Sequence, residues 1–210
     1  DTYLVGEETL AKRSERYLAE AFKNTAWIID PVDGTSSYAH RLPSWGVSIA
    51  YSEKGRIREG ALYLPIGGEL LLTEGDRVYY GRVRPDAENP GEDLKPYALP
   101  AVKVEKGSIV TVAQEYLRNS GPVPFGTVHA TGSCVFSMVH LILGNYVAYI
   151  ADAGLWDFAA GLAVMEKLGI KSRLEDGFPF TTSIDSRQYS LAPDSAKRFR
   201  TKGRALFAVD

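Results

Sequence analysis

The sequence predicts an α/β (α+β) chain, an antiparallel meander followed by helices alternating with further strands. Three stretches carry that expectation. Residues from Trp45 to Tyr80 read as an antiparallel meander of four strands joined by tight turns. Leu155 to Leu168 is an Ala- and Leu-dense helix between two short strands, Tyr146 to Ala151 and Ile170 to Leu174. Ala26 to Ile29 is a short apolar run that reads as a buried strand and breaks into Asp30-Pro31-Val32-Asp33-Gly34-Thr35.

Taken in order, Thr2 to Val5 reads as a strand running into a turn, Gly6-Glu7-Glu8-Thr9. Ala11 to Lys23 places Tyr17, Leu18, Ala21 and Phe22 at helical spacing, so a surface helix is expected. In the Ala26 to Ile29 strand, Pro31 is expected to stop the pairing, because it fixes φ and donates no hydrogen bond. The small polar residues after Gly34 suit a short helix. His40, beyond it, reads as a structural or rim residue, since nothing of metal-binding type sits at matching spacing; the alternative is a ligand or acid.

In the first meander strand Trp45, Val47 and Ile49 alternate with Gly46, Ser48 and Ala50, which suggests packing on both faces. Arg56 to Leu64, Glu69 to Thr73 and Arg77 to Tyr80 follow. Residues 82–106 hold Pro85, Pro90, Pro96 and Pro100 and read as a long surface excursion and a lobe boundary. Ser108 to Ala113 is a strand, Gln114 to Asn119 a helical turn, Ser120-Gly121-Pro122 a break, and Phe125 to His129 another strand. Thr131-Gly132-Ser133-Cys134 opens an apolar helix over Val135 to Leu143. Its start is either an anion site or a simple N-cap. Cys134 reads as a small core residue, because no partner base is apparent. Asp157, in the first turn of the 155–168 helix, suits capping, and Gly169 a C-cap. A short basic helix from Pro193-Asp194 and a closing strand from Ala205 to Val209 complete the chain.

Bulk properties narrow the function classes. At 210 residues the chain is long enough for a sizeable core. Its 45% apolar and 24% charged content is that of a globular protein. A net charge of −2 carries no electrostatic footprint for nucleic acid. No apolar run approaches the roughly 18 residues of a membrane span, so no membrane partner is expected. A single cysteine excludes an internal disulfide and fits a reducing compartment, giving a cytoplasmic expectation. The chain begins at Asp1, without Met, so a leader or N-terminal segment upstream is expected.

The chemistry concentrates at Asp30 and Asp33. Two carboxylates three residues apart at the end of a core strand need pairing or a metal, because buried charge is costly. Gly34 allows a sharp turn and Thr35 adds a hydroxyl. Oxygen-only donors suit Mg²⁺ or another hard cation, which points to a metal-dependent phosphate site.

These residues resemble the inositol-monophosphatase-like superfamily. Gly6-Glu7-Glu8, then Asp30-Pro31-Val32-Asp33-Gly34-Thr35, then Trp156-Asp157 with Gly169 after eleven intervening residues stand in that family's order. The resemblance implies the layered αβαβα sugar-phosphatase fold, with two sheets and covering helices. It has a metal-binding lobe with the meander over residues 1–106 and a C-terminal lobe over 107–210 that completes the site. It implies that Glu7, Asp30, the Val32 carbonyl, Asp33 and Asp157 ligate two or three Mg²⁺ ions, with Mn²⁺ as an alternative. Thr35, helped by Glu8, would orient or deprotonate a water. Asp33, Gly34, Thr35, Gly132, Ser133 and Cys134 would hold the substrate. The implied activity is hydrolysis of a small phosphorylated metabolite by metal-activated water: a sugar phosphate, inositol phosphate, fructose bisphosphate, adenosine bisphosphate or histidinol phosphate. A homodimer is implied as well. The alternative is a catalytically silent metal- and phosphate-binding homologue with a regulatory role.

Three departures stand out. Gly169 is followed by Ile170, where the family has a second glycine. The segment Tyr149 to Gly154, where inositol-specific members place a glutamate for substrate hydroxyls, is a residue shorter here, with Asp152 as the available substitute. The family carries two helices and an acidic segment ahead of its Glu-Glu turn, and an aspartate from that segment supports the threonine. Only six residues precede Glu7 here, the nearest acid being Asp1, so a truncated or processed chain, or a lost segment, is expected.

Overall fold

The computed structural model describes residues 2–10, 13–119, 126–193, 195 and 197–209. Its first sheet is built from β1 (Thr2–Gly6), β2 (Thr25–Asp33), β3 (Gly46–Glu53), β4 (Arg56–Leu64), β5 (Glu69–Glu74), β6 (Arg77–Arg82) and β7 (Lys95–Pro96), side by side in that order. β1 runs parallel to β2 and every later pair is antiparallel, which makes this sheet the expected meander extended at both edges. The second sheet takes β8 (Ile109–Val112), β9 (Thr127–His129), β10 (Ala148–Ala151), β11 (Ser172–Leu174) and β12 (Ala205–Ala208) in the order β11-β12-β10-β8-β9. β8 pairs in parallel with β9 and β10, and β12 pairs antiparallel with β10 and β11. The fold is therefore α+β with two mixed sheets, as expected.

The helices are α1 (Glu7–Leu10), α2 (Glu15–Lys23), α3 (Thr35–Ala39), α4 (Gln114–Asn119), α5 (Cys134–Ile142) and α6 (Leu155–Leu168). α5 and α6 lie between the sheets. α6 runs across β2, β3 and β4, while α5 reaches both β4 and β10. On the second-sheet side, Phe158 of α6 packs its ring against Tyr149 of β10 and Phe207 of β12. One hydrophobic cluster runs from Val5 to Val209 through both sheets. α2 is an amphipathic helix capped by Ser14 and buries Leu18 and Ala21. The Tyr17 hydroxyl accepts the Leu4 amide at 2.9 Å, which satisfies an N–H of the edge strand β1.

Small residues set how closely α6 approaches. A Cβ on Gly60 of β4 would lie 2.3 Å from the Ala160 carbonyl oxygen, and one on Gly161 would strike the end of Met138 in α5. The Ala-Gly run of α6 is therefore a packing requirement. Gly169, at φ 75°, closes that helix in the left-handed conformation, as its position predicted.

The structure corrects five local expectations. Pro31 does not stop its strand: β2 continues to Asp33 through a register shift opposite β3 between Asp30 and Asp33. A bulge is where a missing N–H is tolerated. The Glu7-Glu8 turn is a single helical turn, α1. The helix expected from Ala11 is described only from Glu15, residues 11 and 12 lying outside the described set. β3 is not packed on both faces. Gly46, Ser48 and Ala50 are buried, whereas Ile49 is 36% exposed and its neighbour Trp27 on β2 is 44% exposed. The described residues of 193–202 form turns rather than a helix, and Asp194 lies outside the described set. So do Asp1 and the 120–125 break.

Candidate metal centre

Three carboxylates from distant parts of the chain meet between the sheets. Asp30 and Asp33 come from the bulged end of β2, and Asp157 from the first turn of α6. One oxygen of each lies within 4.8 Å of the others. The bulge places both β2 acids inside, with Asp30 1% and Asp33 7% exposed. The Ser48 hydroxyl of β3 donates to the Trp156 carbonyl at 2.8 Å and pins the start of α6 to the sheet next to them. Asp157 also accepts the Gly154 amide at 2.6 Å, so the capping role foreseen for it is present as well.

α5 supplies the grip on Asp33. Ser133 Oγ donates to Asp33 Oδ2 at 2.5 Å, and the Val135 amide donates to the same oxygen at 2.6 Å. The anion held at this helix start is thus the chain's own carboxylate. Ser133 is at the same time an N-cap, its Oγ accepting the Phe136 amide at 3.0 Å, so the capping reading of that start holds. Contact between the two motifs depends on Gly34. At φ 89° a side chain there would be strained, and its Cβ would lie 2.9 Å from that of Ser133.

The electrostatics follow from this burial. Desolvation raises all three carboxyls above the ordinary carboxylate range, Asp33 to about 6 despite the hydrogen bonds from Ser133 and Val135 that oppose it. Asp157 is pushed furthest, by burial first and by the charge of Asp33 next. Asp30 and Asp157 share a hydrogen bond that favours the charged form of Asp30 and the protonated form of Asp157. Glu7 is raised by partial desolvation, then by Glu8 and Asp33, while Arg200 pulls it down. Three oxygen donors held at high energy in one place fit a hard divalent cation, whose charge offsets both the desolvation and the mutual repulsion.

The other foreseen residues take varied positions. Glu7 and Glu8 open α1 at the exposed rim. Thr35 begins α3 and its Oγ donates to the Val32 carbonyl at 3.2 Å. Gly132, at φ 75°, leaves space that a Cβ would fill against the Gln114 side chain. The Cys134 thiol, pushed far up by burial, accepts the Tyr149 hydroxyl at 2.9 Å and behaves as a core residue. His40 Nδ1 lies 2.8 Å from the Ser36 carbonyl, a local structural contact. Asp152 faces Arg200, with Nε 3.3 Å from Oδ1. Arg200 escaped the sequence reading. Its only signal was a run of basic residues, Lys197, Arg198, Arg200 and Lys202, which reads as a solvated helix.

Two mixed sheets enclosing helices, with carboxylates from a strand end and a helix start converging between them, define a class: an α+β chain organised around an acidic, oxygen-only centre. More narrowly, the model of the inositol monophosphatase family matches residues 1–188, and the chain belongs to that family. It is 28% identical over 178 residues to inositol monophosphatase 1 of Xenopus laevis, covering 79% of this chain and 58% of that protein. It is 31% identical over 163 residues to Nus factor SuhB of Pasteurella multocida (75% and 60%). With the fructose-1,6-bisphosphatase/inositol-1-monophosphatase of Thermotoga maritima it shares 25% over 173 residues (80% and 60%). The chain therefore spans about 60% of the length of these relatives. Inositol monophosphatase-II from Staphylococcus aureus superposes with a TM-score of 0.71 at 20% identity, over 99% of this chain and 71% of that one. An IMPase/NADP phosphatase complexed with Mg²⁺ and phosphate superposes at 0.64 and 17% identity, over 99% and 68%. These superpositions establish the fold.

Proposed function

We propose that the chain is a Mg²⁺-dependent phosphomonoesterase acting on a small phosphorylated metabolite. The observation that carries this is the convergence of Asp30, Asp33 and Asp157 within 4.8 Å, each with its carboxyl raised by burial. With Glu7 and the Val32 carbonyl, these residues would hold Mg²⁺. Bound there, the ion would neutralise the cluster and supply Lewis-acid polarisation of the phosphate ester.

The chain's own groups do the rest. Thr35 donates a hydrogen bond to the Val32 carbonyl, which leaves its Oγ lone pairs to accept from an attacking water and orient it. The Gly34 and Thr35 amides would bind the ester phosphate at the start of α3. Ser133 and the α5 amides fix the rotamer of Asp33, so its other oxygen keeps one position. The 132–134 helix start, Gly132, Ser133 and Cys134, would contact the alcohol half.

A second reading, a metal- and phosphate-binding homologue that regulates rather than turns over, has one observation in its favour. Among the described residues, the bonded partner of the Thr35 hydroxyl is a carbonyl and not a carboxylate base. Phosphate release from a panel of monoesters, with Mg²⁺ and with chelator, separates the two. The enzyme reading expects release that needs Mg²⁺ and is lost in Asp30→Asn. Bound Mg²⁺ without release from any monoester contradicts it and leaves the second reading.

A further inference from the structure

Beside the carboxylate centre stands a cation that the reaction chemistry above does not use. Residues 199–201 run antiparallel to 153–155. The Leu155 amide donates to the Phe199 carbonyl at 2.8 Å, the Thr201 amide to the Ala153 carbonyl at 3.0 Å, and Arg200 bridges Gly154. Gly154 is the residue whose amide binds Asp157. Arg200 is therefore one backbone bridge away from a carboxylate of the centre.

Its guanidinium is oriented, not loose. Nη2 donates to the Asp152 carbonyl at 2.8 Å, Nε to Asp152 Oδ1 at 3.3 Å, and Glu115 approaches Nη2 only to 3.9 Å. Arginine has five N–H donors. Among the described residues no acceptor is bonded to Nη1, and the side chain is 38% exposed. The charge reaches Glu7 at the rim, where it offsets a small part of the rise that desolvation, Glu8 and Asp33 cause. Asp152 is correspondingly occupied. Oδ1 meets both Arg200 and the Thr201 hydroxyl, so this carboxylate is committed to a cation rather than presented to a polyol. A planar guanidinium with unused donors, fixed by its own carboxylate, matches a carboxylate or phosphate oxyanion.

We propose that Arg200 is a specificity-determining residue that binds a second anionic group of the substrate, a carboxylate or a second phosphate, so that the site prefers doubly anionic esters to monoesters of neutral polyols. This rests on the phosphomonoesterase reading.

The test uses two matched pairs, with Mg²⁺ present: 3-phosphoglycerate against glycerol 3-phosphate, and propane-1,3-diol bisphosphate against its monophosphate. In the wild-type chain kcat/KM should favour the second anion. In Arg200→Ala that preference should fall about tenfold or more, the worth of one charge-assisted hydrogen bond, chiefly through KM, and Arg200→Lys should recover part of it. The pair that responds more strongly tells a carboxylate from a phosphate. Binding of the same four compounds by calorimetry runs alongside. If no monoester is hydrolysed but the binding preference exists and disappears in Arg200→Ala, the catalytic reading fails and the role of Arg200 stands. Equal losses for both members of each pair, or no preference in the wild type, overturn the proposal.

Discussion

The two faces of the seven-stranded sheet are built on opposite rules. The inner face carries Gly46, Ser48, Ala50 and Gly60, and α5 and α6 press directly on it. The outer face carries Trp27, Ile49 and Tyr51, large side chains left partly exposed. Bulk alone would place the aromatic side in the core. The reverse arrangement follows from the site. Glycines at positions 46 and 60, with the small Ser48 and Ala50 between them, let α5 and α6 come close enough to bring Ser133 and Asp157 to the end of β2. On the inner face, packing and the carboxylate centre are one construction, and on the outer face they are separate.

That contrast can be broken in graded ways. The largest effect belongs to the acids. Asp157→Asn and Asp33→Asn should each weaken Mg²⁺ binding by about two orders of magnitude, while the metal-free Asp33→Asn chain gains stability above pH about 6, because a desolvated charge is removed. Calorimetric titration and thermal unfolding should move in opposite directions.

Next comes Gly60→Ala. Its Cβ would meet the Ala160 carbonyl oxygen at 2.3 Å. Moving α6 off the sheet should cost about 3 kcal/mol by urea unfolding and lower Mg²⁺ affinity as well. An unchanged affinity would separate packing from the centre. Ser48→Ala, which loses the hydrogen bond to Trp156, should cost about 1 kcal/mol and shift Mg²⁺ affinity in the same direction. On the outer face, Trp27→Ala should cost about 1 kcal/mol, from its tilted contact with Tyr51, and leave Mg²⁺ affinity as it was.

The raised carboxyls give the inner face a pH signature. Asp33 binds its proton more tightly folded, at about 6, than in the unfolded chain, where an aspartate titrates near its ordinary value of 3.8. The folded state then holds more protons across that interval, so its stability is highest below it and falls as pH rises from about 4 to about 6, and Asp157, whose carboxyl is pushed further up, continues the fall beyond. Melting temperatures of the metal-free chain against pH should show this fall, and saturating Mg²⁺ should remove most of it above pH about 6.

Much of this was legible from residue order. The meander, the Asp-Pro-x-Asp-Gly-Thr end of β2, the α6 start at Trp156-Asp157 and the closing Gly169 all carry local signals: alternation, turn residues, capping. What escaped the sequence is relational. Pro31 sits inside β2 because the partner strand, not the proline, decides where a bulge falls. The outer face of β3 is exposed because hydrophobic alternation shows two faces but not which one a helix will cover. Ser133 turned out to hold Asp33, a contact across 100 positions. Arg200 reaches the centre through a backbone bridge, for which a basic run carries no signal.

The central claim is that Asp30, Asp33 and Asp157 form one cation site. Titration of Mg²⁺ into the metal-free chain by calorimetry near neutral pH, with Asp157→Asn as the comparison, tests it most directly. The account predicts saturable binding with proton release in the wild type and loss of both in the variant. Equal Mg²⁺ binding by the two chains would show that the acids are structural, and would contradict it.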